Sequence, residues 1–297
     1  MIIISKGSKI AVIIFEFFIL FSIYSSLYSD LGVHLDGNIA LVAHSLVLGA
    51  SSTAPVTGAA ADVLAAAFTA AEVAVRLIKP GATNTEVTAA FDKVAEAYGV
   101  KAIPGMITHQ LNKFILDEGK KIALHADPEN KVEDITFSQH EAYAIDVAFT
   151  TGEAKPRELD ARTTVFKRNP EVNYLLKMKA ARTFFGEVSK RFPALPFSIR
   201  SIEDETTARL GIKECVEHRL LTPYRVEFEH EGSFVAHVRF TVLLLGGGTQ
   251  KVTGGELPAF VQSTKVVPND IQEILKIVPF VSKKGKPKSN AAMDTNN

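Results

Sequence analysis

Two apolar runs flank Asp36 and Gly37, and this is the strongest local signal along the chain. Both residues tolerate the positive φ of a type I′ turn, so a two-residue hairpin loop is predicted. With that loop Asp30 pairs with Ala43, and Leu41 lies on the same face because side chains alternate along a strand. Asp30 and Leu41 are then diagonal neighbours, roughly 7–8 Å apart. Two carboxylates there could hold divalent metals, but this chain has one carboxylate and one leucine.

Apolar positions at helical spacing predict four helices. The first is Ala-rich and covers residues 59–78. The second follows the sequence Thr-Asn-Thr-Glu at 83–86, which predicts a capping box. The third and clearest is amphipathic and covers 170–192, and the fourth covers 203–220. The apolar stripe of the third consists of Leu175, Met178, Ala181, Phe185 and Val188.

Alternating positions predict strands between and after these helices. Residues 137–150 alternate enough to form a strand, with Asp146 on the face opposite the larger apolar side chains. The polar stretch 151–168, rich in both charge signs, is predicted to be a long loop. Residues 224–245 are predicted to form a hairpin with its turn at 230–232. Helices packed beside a sheet indicate an α+β fold.

Composition narrows the class of protein. The chain has 297 residues, 46% of them hydrophobic and 22% charged, with a formal net charge of zero, which is typical of a globular protein. Because there is no overall excess of positive charge, nucleic-acid binding would depend on local patches. Cys215 is the only cysteine and can form no intramolecular disulfide, which fits a reducing compartment.

Residues 1–28 differ in character from the rest. The apolar run at residues 10–20 follows Lys6 and Lys9, which is the order of a signal peptide or a short anchor. Glu16, and a length below the roughly 20 residues that a bilayer span needs, argue against a stable membrane span. A divergent or wrongly placed start of the chain, and a buried strand pair, are the other interpretations. The sequence leaves all three open.

Specific motifs resemble a known family. The hairpin, DLGVHLDGNIALVAHS, is similar to the metal-binding hairpin of the methionine aminopeptidase ("pita-bread") superfamily of M24-type peptidases. Downstream, VTGAAADV, RLIKPG, GMITHQL, YAIDVAFTTGEA, RTTVFKRNP, LKMKAARTFF and FVAHVRFTVLL resemble the proliferation-associated protein branch. That branch consists of ribosome- and RNA-binding pseudo-aminopeptidases, also described as partners of growth-factor receptors. The resemblance covers about residues 29–275 in collinear order.

The resemblance implies an α+β pita-bread fold that is incomplete on its N-terminal side, because members carry a first half before this hairpin. It divides the chain into an aberrant hydrophobic N-terminus (1–28), an aminopeptidase-like domain (29–278) and a basic disordered tail (279–297). A small winged-helix-like insertion is expected at about 191–225.

The resemblance also places five metal-ligand positions, which the family fills with Asp, Asp, His, Glu and Glu. Here they correspond to Asp30, Leu41, His109, Asp146 and Arg239. Leu41 cannot ligate, and the fixed charge of Arg239 repels cations. We therefore expect no catalytic residue, no metal and no cofactor, and His109 as a hydrogen-bonded relic of the fold. We hypothesise that Arg239 lies between Asp30 and Asp146 in place of the ion; the alternative is an outward-pointing strand residue.

Basic clusters supply the candidate RNA contacts. The family implies a non-catalytic factor bound to structured RNA and the large ribosomal subunit, acting in translation or ribosome biogenesis in the cytoplasm, nucleus and nucleolus. The alternatives are a residual metal-dependent methionine aminopeptidase, an adaptor for signalling or transcription proteins, and, if residues 10–20 act as a leader, a secreted or tethered form. The candidate RNA-binding residues are Arg157, Arg162, Lys167, Arg168, Lys177, Lys179, Arg182, Lys283, Lys284, Lys286 and Lys288.

Overall fold

The computed structural model describes residues 10–20, 25–128, 131–158 and 161–280. Fourteen strands lie in this part of the chain: β1 (Ile10–Leu20), β2 (Ser25–Leu35), β3 (Asn38–Val47), β4 (Lys101–Ala102), β5 (Ile107–Gln110), β6 (Lys121–Ala123), β7 (Ala142–Thr150), β8 (Arg157–Glu158), β9 (Val165–Arg168), β10 (Phe197–Ser198), β11 (Leu221–Pro223), β12 (Glu227–Phe228), β13 (Val235–Leu245) and β14 (Gly248–Lys251). The same part contains five α-helices: α1 (Gly58–Leu77), α2 (Asn84–Tyr98), α3 (Lys179–Arg191), α4 (Glu205–Glu217) and α5 (Asn269–Lys276).

The predicted hairpin is confirmed. β2 and β3 pair antiparallel around a two-residue loop in which Asp36 has φ 50° and Gly37 has φ 88°. Asp30 lies opposite Ala43, as the turn chemistry predicts. The backbone of β1 continues the sheet antiparallel to β2, which agrees with the strand-pair interpretation of residues 10–20. Residues 1–9, 21–24 and 281–297 lie outside the described part, so the leader and tail assignments stay predictions.

β13 is central in a large antiparallel sheet. The strand order is β1-β2-β3-β13-β7-β5-β6, with β14 also paired to β13 and β4 to β7. The predicted hairpin over residues 224–245 is wrong, because β12 pairs with β8 instead of β13. β12 is two exposed residues long, whereas β3 and β7 give β13 long partners on both sides and bury its alternate apolar residues.

Helices α1 and α2 cover one face of this sheet and enclose the larger hydrophobic core. β7 contributes Tyr143, Ile145 and Val147 to that core, so Asp146 points to the opposite face, as predicted. By length and composition α1 could cross a membrane, but most of it is buried inside the protein, as expected of a core helix.

The start of α2 differs from the predicted capping box. Thr83 is the N-cap residue, but its side chain makes no capping hydrogen bond. Asn84 instead donates to the carbonyl oxygens of Lys121 (3.1 Å) and Glu133 (2.8 Å), and Thr88 donates to that of Ala123 (2.7 Å). The polar side chains of α2 therefore satisfy the outer edge of β6, which would otherwise expose unpaired carbonyl groups.

A second unit lies against the other face of the sheet. We call residues 165–223 the insertion unit; it contains the sheet β10-β9-β11 together with α3 and α4. The insertion expected at about 191–225 stays a prediction: β9 and α3 share a hydrophobic core with α4, but Leu41 and Ala144 of the large sheet belong to that core as well. The predicted loop at 151–168 is partly wrong, since it contains β8 and β9.

The helix predicted over residues 170–192 forms only from Lys179 onward. The buried carboxylate of Glu214, on α4, accepts hydrogen bonds from the backbone N–H groups of Lys177 (2.6 Å) and Met178 (3.1 Å). Arg182 donates to the carbonyl oxygens of Leu176 and Lys177. These bonds replace those of a helix, and Leu175 and Met178, which belong to the predicted apolar stripe, are exposed. Phe184, and not Phe185, is fully buried.

Candidate functional site

A straight row of residues crosses four strands on the sheet face that meets the insertion unit. Asp30 on β2 lies opposite Ala43 on β3, Ala43 lies opposite Arg239 on β13, and Arg239 lies opposite Asp146 on β7. Neighbouring strands are about 4.8 Å apart, so Asp30 and Arg239 are separated by roughly 10 Å of backbone. The small methyl group of Ala43 lets the long arginine side chain pass over β3.

The guanidinium of Arg239 lies between the two carboxylates, so that hypothesis is confirmed and the outward-pointing alternative is wrong. Its Nε donates to Oδ2 of Asp146 (2.9 Å), Nη2 donates to the same carboxylate, and Nη1 donates to Oδ2 of Asp30 (3.0 Å). The side chains of Arg239, Asp146 and Asp30 are 23%, 11% and 15% exposed. All three charges are thus largely removed from water and satisfy one another.

The charges of this row shift one another's protonation equilibria. Burial alone would raise the pKa of the Asp146 carboxyl, but Arg239 and the ring of His237 outweigh it and hold that pKa well below its usual range. Burial would also lower the pKa of the Arg239 guanidinium, yet the Asp146 carboxylate and its neighbours raise it well above the ordinary value. The ion pair therefore stays charged throughout the physiological range.

Two aromatic rings extend the network, and neither was predicted from the sequence. The rings of Tyr28 and His237 are stacked, with centroids 4.8 Å apart and an interplanar angle of 2°. Tyr28 donates a 3.3 Å hydrogen bond to Asp30, and Nε2 of His237 is hydrogen-bonded to Oδ1 of Asp146. Burial raises the pKa of Tyr28 well above its usual value. Sequence spacing could have identified His237, because His237 and Arg239 are two residues apart on one strand and must therefore lie on the same face of the sheet.

Leu41 belongs to the hydrophobic core between the sheet and the insertion unit. It is buried in the same cluster as Leu195 of that unit. A Cβ atom placed on Gly32, opposite Leu41, would lie 3.1 Å from the Leu41 side chain and 3.3 Å from that of Leu195. The close approach of these two leucines fills the position that a second ligating carboxylate would need.

His109, on β5, lies opposite Ala144 of β7. Its Nδ1 is buried and has no hydrogen-bond partner among the described residues, which does not fit the expected hydrogen-bonded relic. Burial lowers the pKa of this ring, so the neutral form is favoured. The hydrogen bonds around Arg239 do not include His109.

The residues present do not fit a dinuclear metal centre. Each retained carboxylate already accepts hydrogen bonds from Arg239, and Leu41 has no donor atom. A guanidinium at hydrogen-bonding distance from both carboxylates repels any cation that approaches them. In the part of the chain that the structure describes, no group of three or more His, Cys, Asp or Glu side chains is arranged to hold a metal ion.

Some of the candidate RNA-binding side chains form contacts within the protein, and others are exposed without such a contact. Lys167 forms an ion pair with Asp117, and Arg182 donates to backbone carbonyl groups. Arg168 lies over the ring of Phe185, 5.8 Å from its centroid, with a buried Nε that has no partner among the described residues. Arg182 is exposed despite its hydrogen bonds, and the exposed candidates without such a contact are Arg157, Arg162, Lys177 and Lys179. Lys283, Lys284, Lys286 and Lys288 lie outside the described residues.

Comparison with known proteins decides the family. The sequence model of metallopeptidase family M24 matches residues 25–134. The chain is 45% identical to ERBB-3 BINDING PROTEIN 1 of Solanum tuberosum over 259 residues, 86% of this chain and 66% of the relative. It is 40% identical to Proliferation-associated protein A of Dictyostelium discoideum over 264 residues, 88% of this chain and 68% of the relative. The chain belongs to the proliferation-associated protein family.

A solved structure of a thermophilic Arx1 superposes with a TM-score of 0.78, at 22% identity over 92% of this chain and 82% of that one. The relatives confirm the proliferation-associated family and this superposition confirms the pita-bread fold, both of which the motifs predicted. The chain spans just under two thirds of the length of the potato protein.

Proposed function

We propose that this proliferation-associated protein is a non-catalytic factor that binds structured RNA and the large ribosomal subunit. It would act in translation or ribosome biogenesis, in the cytoplasm and the nucleus or nucleolus. The observation that carries the non-catalytic part is the guanidinium of Arg239, which bridges Asp30 and Asp146 at the position of the family's metal ions.

Hydrolysis at a dinuclear centre needs cations that lower the pKa of a bound water. Arginine cannot supply this chemistry, because it stays protonated and neither ligates nor accepts a proton. The pair of His237 and Asp146 resembles two members of a nucleophilic triad, but no hydroxyl among the described residues bonds to the His237 ring. The Ser45 hydroxyl instead accepts a 3.0 Å hydrogen bond from the backbone N–H of His237. The network is therefore a structural one.

The binding part of the proposal rests on the family and on the exposed cations. Arg157, Arg162, Lys177 and Lys179 form no side-chain ion pair among the described residues, so their charges are available to phosphates. Such contacts recognise the backbone and shape of RNA and not its sequence. For four contacts, affinity should fall on the order of 50- to 150-fold between about 50 and 200 mM salt.

Sedimentation with purified ribosomes tests this proposal. The wild-type chain should pellet with large subunits at low salt, and the double variant Arg157→Glu/Arg162→Glu, at two exposed arginines outside the insertion unit, should bind more weakly and with a shallower salt dependence. Lys265→Glu, at an exposed lysine outside the insertion unit, is the matched control and should bind like wild type. A folded wild-type chain that stays in the supernatant at low salt would contradict the proposal.

A further inference from the structure

The segment just before α3 forms a distinct surface, which we call the strap (residues 171–178). It runs along α4 without becoming helical. The ring of Tyr174 stacks on His218, with centroids 3.6 Å apart, and Glu214 accepts hydrogen bonds from the backbone of Lys177 and Met178. Polar and stacking contacts therefore fix the strap in an extended form.

Because the strap is extended, aliphatic side chains that a helix would bury face solvent. Leu175 is 87% exposed and Met178 is 44% exposed. Leu210 on α4 is 57% exposed, and it lies one turn before Glu214, on the side of α4 that meets the strap. Gly211, beside it, packs against the backbone of Ala181 in α3, three residues after the strap ends. We call the exposed side chains of Leu175, Met178 and Leu210 together the strap surface.

The charges around the strap surface are mainly positive. Lys177 and Lys179 are exposed and form no ion pair in the described part of the chain. Lys213 lies three residues after Leu210, and its nearest carboxylate is 4.0 Å away on the largely exposed Glu217. Glu214 is buried and already accepts two backbone hydrogen bonds, so its charge is turned away from solvent.

We propose that the strap surface docks an amphipathic helix of a protein partner, with leucine-type anchors and an acidic flank. Flexible Met and Leu side chains pack readily against the apolar face of a helix, and the lysine rim complements acidic residues beside that face. Single-stranded RNA fits the apolar centre of this surface less well, because its bases stack on aromatic rings and the nearby ring of Tyr174 is already stacked on His218.

Fluorescence anisotropy with labelled probes tests the assignment. The first probe is a helical peptide with leucines at i, i+3, i+4 and i+7 and glutamates elsewhere. The second has serines in place of the leucines, and the third is an oligouridine. We expect binding of the first probe, at least about tenfold weaker binding of the serine peptide, and a similar loss in Leu175→Asp/Leu210→Asp. The control Val266→Asp changes another exposed apolar residue, 73% exposed, and should bind like wild type.

Three results would overturn the proposal. The first is absence of binding of the leucine peptide to a wild-type chain whose fold is verified by circular dichroism. The second is equal binding of the leucine and serine peptides, or tighter binding of oligouridine at this surface, which would indicate a purely electrostatic or RNA site. The third is self-association of the wild type that is lost in Leu175→Asp/Leu210→Asp, which would make a second copy the occupant. Changes in the methyl NMR chemical shift of Met178 during titration with each probe show whether that probe contacts the strap surface.

Discussion

Removal of the charge of Arg239 by Arg239→Met should strongly destabilise the protein. Methionine keeps most of the side-chain volume, but it leaves Asp30 buried without a counter-charge and Asp146 with only the ring of His237 beside it. Breaking a buried ion pair by removing one partner costs about 3–5 kcal/mol. The loss in the free energy of unfolding has an upper limit, because a buried carboxylate without a counter-charge can take up a proton and become neutral. At about pH 7 protonation of a normal carboxyl costs roughly 4 kcal/mol.

Thermal and urea unfolding measure this effect. A loss of 3–5 kcal/mol should lower the melting temperature by roughly 6–15 °C in a chain of this size. The matched control is Arg209→Met, because Arg209 forms an ion pair with Glu205 in which both side chains are about half exposed. That variant should lose less than about 1 kcal/mol. A melting temperature of Arg239→Met within about 1 °C of wild type would refute the reasoning.

The pH dependence gives a second readout of the same variant. In the wild type the pKa of Asp146 is depressed, so its stabilising effect is complete above the ordinary aspartate pKa near 4 and is lost as the pH falls through the range below it. Without Arg239 the pKa of Asp146 should rise, because burial is then opposed only by the ring of His237, and the variant should gain stability as the pH falls from about 7 to 5. The difference in stability from wild type should therefore narrow by about 1–3 kcal/mol over that range. A constant difference would contradict the electrostatic cause.

Three further predictions follow from contacts around the row and the strap. Ala43→Leu should obstruct the path of Arg239 over β3 and cost about 1–3 kcal/mol in urea unfolding; no loss would mean that the arginine can take another path. Glu214→Ala should cost about 1–3 kcal/mol and speed amide hydrogen exchange of Lys177 and Met178, and unchanged exchange would show that other contacts hold the strap. Excess Mn²⁺, Co²⁺ or Zn²⁺ should leave the melting temperature of the wild type unchanged, whereas a rise with concentration would indicate a metal site.

The part of the row that lies on the hairpin β2–β3 could be predicted from the sequence, because local turn chemistry determines its register. The chemistry of Asp36 and Gly37 sets the loop, the loop sets the register, and the register places Asp30 opposite Ala43. The position of Arg239 came from a family resemblance, since no local rule links residues about two hundred positions apart. His237 was overlooked because it matches no ligand spacing, although its separation from Arg239 already places both on one face.

Predictions failed where a distant group competes with local preference. Residues 170–178 carry a helical pattern, but Glu214, on a different helix, binds the backbone N–H groups of Lys177 and Met178. The hairpin at 224–245 looked favourable in isolation, yet β13 buries more apolar surface between β3 and β7. Both errors come from tertiary contacts that outweigh propensity, and neither changes the row that positions Arg239.

Arg239→Glu separates loss of charge from reversal of charge at the same position. The new carboxylate would join Asp30 and Asp146, so three negative charges would lie in one desolvated site. With a chelator present, this variant should therefore be less stable than Arg239→Met, because like charges add to the unpaired burial. If added Mn²⁺ partly restores stability to Arg239→Glu but not to Arg239→Met, the fold retains a place for a cation that the arginine occupies. If Arg239→Glu is as stable as Arg239→Met in chelator, the three side chains do not share one site, and the view that a guanidinium replaces the ion is wrong.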